Sequence, residues 1–282
     1  MDQKPANPLA KHFRQPAIYL KLPSGGRYWP EDAINLPVNG EVAIYPMTTK
    51  DEITLRTPDA LINGAGVISV IQSCCPEIKD AWRMPSIDVD SIIIAIRIAS
   101  YGNEMTFNSQ CPSCKEINDY AIDLRTVLER IRMPDYDAPV EADNLKIKLY
   151  PQPYFAFNNT NQTQFEEQQF LRSIEDVNID VDVRAAKMQE QAERIIQMGL
   201  DTLATSTEYI QIEDGTKVYA KDHLREFYAN ASIELVKQVQ LRMTKINEEG
   251  AVKPMHVNCT ECQKPFDIQI TFDYAAFFGN GS

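Results

Sequence analysis

Met105-Thr-Phe-Asn-Ser-Gln-Cys111-Pro-Ser-Cys114-Lys-Glu-Ile117 and His256-Val-Asn-Cys259-Thr-Glu-Cys262-Gln-Lys-Pro-Phe266 share one design: an alternating run, a Cys-x-x-Cys turn, and a second alternating run. Alternation with period two predicts strands, so each segment predicts a hairpin with its cysteines at the tip. Tyr120-Ala-Ile-Asp-Leu124 and Phe266-Asp-Ile-Gln-Ile270 continue the parallel beyond the turns. Two such hairpins set face to face offer four thiolates in a tetrahedron, the donor set of a structural zinc ion. Cys111, Cys114, Cys259 and Cys262 are the candidate ligands. Iron–sulfur centres, other metals and disulfides use similar spacings. The N-terminal MDQKPANPLAKHF lacks the apolar core of a secretion signal, which favours reduced thiols and Zn2+. The pairs are separated by 144 residues, so this ribbon is split around a large insertion and ties the chain's end to its first half.

Outward from the hairpins, the rest reads as α+β. Ile18–Leu22 and Glu41–Tyr45 alternate as short strands, and Pro23-Ser-Gly-Gly26 marks a turn between them. Residues 59–75 carry Val67, Val70, Ile71 and Cys74 at helical spacing. A second helix, capped by Asp88 or Asp90, runs through Ile92-Ile-Ile-Ala-Ile96 to Gly102; being apolar all round, it predicts the buried centre of the first unit. Leu145, Ile147 and Leu149 alternate as a strand. Thr163-Gln-Phe-Glu166 then reads as a capping box opening a helix with Phe165, Phe170 and Ile174. Further helices are expected from Asp182 and from Asp222 to Gly250, with a hairpin around Glu213-Asp-Gly215. The expected organisation is a flexible arm (1–17), a small mixed base (18–150), a mainly helical insertion (151–250) and a second zinc hairpin that completes the base (251–282).

Composition narrows the function. Apolar residues make up 44% and charged residues 24%, as in an ordinary globular protein with a full core. With 28 basic against 40 acidic residues the net charge is −12, and no lysine–arginine cluster occurs, which disfavours nucleic acid as partner. No apolar run reaches the length of about 18 that a membrane span needs.

Catalytic patterns are missing. His12, His223 and His256 sit in no nucleophile or metalloprotease motif, and Gly64-Ala-Gly66 lacks the lysine of a phosphate loop. His256 reads as a strand residue near the cysteines rather than a spare ligand. Adjacent Cys74 and Cys75 read as small apolar residues at a helix end. Tyr28 and Trp29, beside a glycine turn, are candidate interface anchors; packing on their own unit is the equal alternative. The expectation is a non-enzymatic protein without a small-molecule substrate. A zinc-ribbon protein that binds nucleic acid or assists transcription is the alternative, weakened by the few scattered lysines (Lys115, Lys253, Lys264) near the hairpins.

Several stretches carry a family resemblance: Leu22-Pro-Ser-Gly-Gly-Arg-Tyr-Trp-Pro30, Ile44-Tyr-Pro-Met-Thr48 with Asp51-Glu-Ile53, Thr57-Pro-Asp-Ala-Leu61, Val70-Ile-Gln-Ser-Cys-Cys-Pro76, and Ile94-Ala-Ile-Arg-Ile-Ala-Ser-Tyr-Gly102. Together, over residues 18–125, the chain resembles the baseplate hub proteins of T-even-type contractile-tailed bacteriophages. The resemblance implies a structural or assembly role in the tail baseplate, with other hub and tail proteins as partners. It places the chain in the virion, and in the host cytoplasm during assembly. Many short relatives lack the cysteine pairs, so the zinc site rests on this chain's own spacing.

Overall fold

A computed structural model describes residues 7–55, 64–160, 162–163, 181–268 and 270. The elements form two clusters of buried side chains.

The first cluster is built around the isoleucine-rich helix. Strands β1 (Ile18–Lys21) and β2 (Glu41–Ile44) pair antiparallel, with Leu20 opposite Val42 and Ile18 opposite Ile44. Helix α1 (Thr49–Leu55), helix α2 (Ala65–Cys74) and helix α3 (Ser86–Tyr101) follow. Ile92, Ile93, Ile94, Ala95 and Ile96 are all fully buried, because strands, helices and loops cover α3 on every side. A run of isoleucines is thus satisfied as a helix by encirclement rather than by sheet pairing. Gly102 ends α3 with φ 91°, a left-handed conformation that only glycine enters without strain. Strands β3 (Glu104–Gln110) and β4 (Ile117–Asp123) form the first hairpin, and Asp123 caps the short helix α4 (Leu124–Leu128) through Arg125 N–H at 2.9 Å.

Two expectations are corrected here. α3 begins two residues before Asp88, after Pro85, whose fixed φ of −61° suits helix entry. Asp88 is no cap: it is fully buried and accepts from Ser24 N–H (2.9 Å), Ser24 Oγ (2.6 Å) and Trp29 Nε1 (2.7 Å). Nor is the chain through residue 17 all free arm. Arg14 donates to Pro46 C=O (2.7 Å), Ser73 C=O (2.7 Å), Ser73 Oγ (2.9 Å) and Asp51 Oδ2 (3.3 Å), which ties the segment to α2.

The second cluster packs helices on a four-stranded antiparallel sheet ordered β5 (Val140–Ala142), β6 (Leu145–Leu149), β7 (Thr207–Gln211) and β8 (Lys217–Val218). The helices are α5 (Val181–Thr205), α6 (Lys221–Asn230) and α7 (Ile233–Gly250). Ile147, Leu149, Ile210, Leu224, Tyr228, Leu235, Val239 and Ile246 make its centre. The single helix expected from Asp222 to Gly250 is two helices. Ala231 is extended (φ −71°, ψ 157°), and Ser232 starts α7 by accepting from Leu235 N–H at 3.2 Å. The capping-box residue Thr163 instead donates back to Asn159 C=O (3.0 Å); Glu166, Phe165, Phe170 and Ile174 lie outside the described residues, as do Thr57–Leu61.

The clusters meet along a short seam. Ser86 N–H donates to Gln152 C=O at 2.8 Å, and Ile87 beside it packs against the second cluster. Tyr28 and Tyr136 rings lie 5.7 Å apart. The chain closes with β9 (Met255–Asn258) and β10 (Pro265–Ile268), an antiparallel pair. Among the described residues no helix is long and apolar enough to cross a membrane.

Candidate metal centre

Both Cys-x-x-Cys turns fold the same way. In the first, Cys111 N–H donates to Glu116 C=O (2.9 Å) and Lys115 N–H to Cys111 C=O (3.0 Å). In the second, Cys259 N–H donates to Lys264 C=O (3.0 Å) and Gln263 N–H to Cys259 C=O (3.0 Å). Lys115 (φ 66°) and Gln263 (φ 57°) are both left-handed, a local strain that closes each turn so tightly that its two thiols converge. The first cysteine of each pair, Cys111 or Cys259, is buried; the second, Cys114 or Cys262, stands half-exposed at the rim.

The two tips meet so that all four sulfurs lie within 4.8 Å of one another. Cys111 Sγ is 3.7 Å from Cys262 Sγ, and Cys114 Sγ is 3.6 Å from Cys259 Sγ. A tetrahedron with metal–sulfur bonds of about 2.3 Å has edges of about 3.8 Å, so these separations fit a four-thiolate metal site. A disulfide needs about 2.05 Å, and the cysteines are free. All four predicted ligands are therefore brought together.

At the first cysteine of each pair backbone amides favour the thiolate form that a metal requires, whereas desolvation and the neighbouring cysteines raise the Cys114 thiol. The Cys111 thiol is pulled down to about 6, first by the Cys114 N–H and also by Ser113 N–H, 3.4 Å from its sulfur. Cys259 is lowered as well, first by the Cys262 N–H.

Between the hairpins sits an interlock. Asn118 on β4 donates from Nδ2 to Cys259 Sγ (3.6 Å) and accepts from Thr260 Oγ1. Tyr120 and Phe266 pack edge-on with centroids 5.8 Å apart. Sequence reading passed over these residues. The signal was a break in the repeat: four residues after its second cysteine, one hairpin carries Asn118 and the other Phe266.

The remaining candidates are spent elsewhere. His256 pairs with Asp267 across β9 and β10, exposed and outside the cysteine cluster. Cys74 and Cys75 are fully buried; burial pushes the Cys74 thiol up to about 12 and raises Cys75, so both stay protonated and apolar. Trp29 is buried with its indole N–H given to Asp88, while Tyr28 is half-buried against Tyr136.

The sequence family described as T4 bacteriophage base plate protein matches residues 16–279. No curated protein and no solved structure matches the chain. The family match takes in both cysteine hairpins and both buried clusters, and the chain belongs to the T4 bacteriophage base plate proteins, structural proteins of the phage tail.

Proposed function

We propose that the chain is a structural or assembly component of the baseplate hub, locked by one Zn2+ on Cys111, Cys114, Cys259 and Cys262, and acting through contacts with other hub and tail proteins. The baseplate family match over residues 16–279 carries the role. The sulfur separations of 3.6 and 3.7 Å support the metal. Zinc is redox-inert and is held here by four thiolates, so it would supply folding free energy and no reaction step. Its hairpins pack on the first cluster, so it would tie the end of the chain that follows α7 back to that cluster.

The partner surfaces are the N-terminal arm and the loop of Tyr28 and Trp29. Arg14 roots the arm while Leu9 and Phe13 stay more than half exposed, so two apolar side chains are presented beyond a fixed anchor. In the loop, Trp29 anchors through Asp88, and a partner would meet the half-exposed Tyr28 and its neighbour Arg27. Electron microscopy of purified particles tests the role: density for the chain in the central baseplate supports it. Tails that contain the chain only before completion would make it an assembly factor, and its absence at every stage would overturn the proposal.

A further inference from the structure

The first thirty residues and the rest of the chain carry opposite charge. Residues 1–30 hold five lysines and arginines against one aspartate, which leaves 23 basic and 39 acidic residues for the other 252. Charge segregated in this way favours contact between a basic segment and an acidic surface. Two of the five cations are used within the chain, Arg14 on Asp51 and Arg27 on Asp137. Lys11 is exposed and belongs to none of the ion pairs among the described residues.

The arm is shaped before any partner arrives. Asn7 Oδ1 accepts from Leu9 N–H at 2.9 Å and caps a 3-10 turn over Pro8–His12, of which no residue is buried. Leu9 is 63% and Phe13 57% exposed, with Lys11 and His12 between them in the chain. Directly after Phe13, Arg14 pins the backbone to Pro46 and Ser73. Two apolar side chains and a lysine are thus presented with little chain entropy left to lose on docking.

A groove of the second cluster has the matching make-up. It lies between the β5–β6 turn and the end of β7, encloses about 560 Å3, and has Leu145 and Ile212 in its lining. Ile212 is 40% exposed. Glu141, Asp143 and Glu213 line the groove too, and its Lys146 is already paired with Glu141 at 3.3 Å. No residue of the arm lines it, so within one chain both faces stay uncovered.

We propose that the arm of one copy docks in this groove of a second copy, with Leu9 and Phe13 on Leu145 and Ile212, and Lys11 among Glu141, Asp143 and Glu213. The inference rests on the reading of the arm as a partner surface, and makes that partner another copy of this chain. Arm and groove are different patches, so the contact is head-to-tail. Each copy offers both halves, and repetition closes a ring or runs on as a filament. The apolar side chains supply the free energy of the joint, and the charges around them set its register and its rate of formation.

Sedimentation velocity of the full chain over a range of concentrations tests this. The wild type should form oligomers that weaken as salt is raised. Phe13→Ser changes an exposed side chain, so it should leave the fold intact and weaken association on the order of 10-fold. Lys11→Glu and Glu213→Lys should each weaken it several-fold. Mixing these two charge-reversed chains should restore association, because the glutamate on one arm then meets the lysine in the other's groove. Monomers at every concentration would overturn the inference, as would oligomers that Phe13→Ser leaves unchanged or a mixture no stronger than its components. The arm as a partner surface is judged separately: that reading falls if deleting residues 1–13 leaves incorporation into tails unchanged.

Discussion

Asp88 and Arg14 show how single side chains hold the first cluster together. Asp88 gathers Ser24 and Trp29 onto α3, and Asp88→Ala would leave three donors facing a void. The expected cost is about 1–3 kcal/mol for each donor left unpaired, read as a lower denaturant midpoint at unchanged slope. Burial raises the Asp88 pKa, against the pull of its three donors. A carboxyl whose folded pKa is raised holds its proton longer when folded. Its contribution is therefore complete below the unfolded value of about 3.9 and is lost as pH rises through the folded value. Asp88→Asn should accordingly remove a fall in stability above pH 4; a variant with the wild-type pH profile would contradict that. Arg14→Ala should free residues 7–17 to faster hydrogen exchange while leaving α2 and α3 protected, and unchanged exchange would argue against the anchor. Neither role was legible in the sequence. An aspartate at the head of an apolar run reads as a cap, and only the tertiary fold brings Ser24 and Trp29 to it.

The elements themselves were mostly legible, for local reasons. Both cysteine hairpins follow from alternation on either side of a tight turn, and α3 ends at Gly102 because no other residue enters that conformation cheaply. The break between α6 and α7 was missed because alanine and serine interrupt no apolar periodicity. What decides it is the Ser232 cap, a single oxygen aimed at Leu235 N–H. Ser232→Ala should cost about 1 kcal/mol in thermal or chemical unfolding, and Ser232→Asp should restore it; no loss in the alanine variant would mean packing alone sets the break. At the other end of α7, a Cβ on Gly250 would come within 2.8 Å of Pro134 Cγ. Gly250→Ala should therefore loosen the Pro134 segment, seen as faster exchange at Tyr136.

At the scale of the molecule, two clusters and one four-cysteine centre divide the work. β5 and β6 bury Val140, Ile147 and Leu149 in the second cluster. The two clusters should accordingly open as separate units in native-state hydrogen exchange, and a single cooperative opening would contradict the division. The pair β9–β10 is a two-stranded ribbon, too small to be stable alone, and depends on what it docks against. A metal shared with β3–β4, as proposed above, would supply that docking across a gap of 144 residues. Sequence spacing disclosed that the four thiols would cluster, because Cys-x-x-Cys pairs so arranged have few other uses; it could not disclose the contacts of Asn118 with Cys259 and Thr260, which exist only once the hairpins face each other. Native mass spectrometry of chain purified without chelator tests the centre most directly. The prediction is one zinc per chain, lost in Cys259→Ser together with protection of β9 and β10. A folded, metal-free chain, or a disulfide joining Cys111 to Cys114, would contradict it.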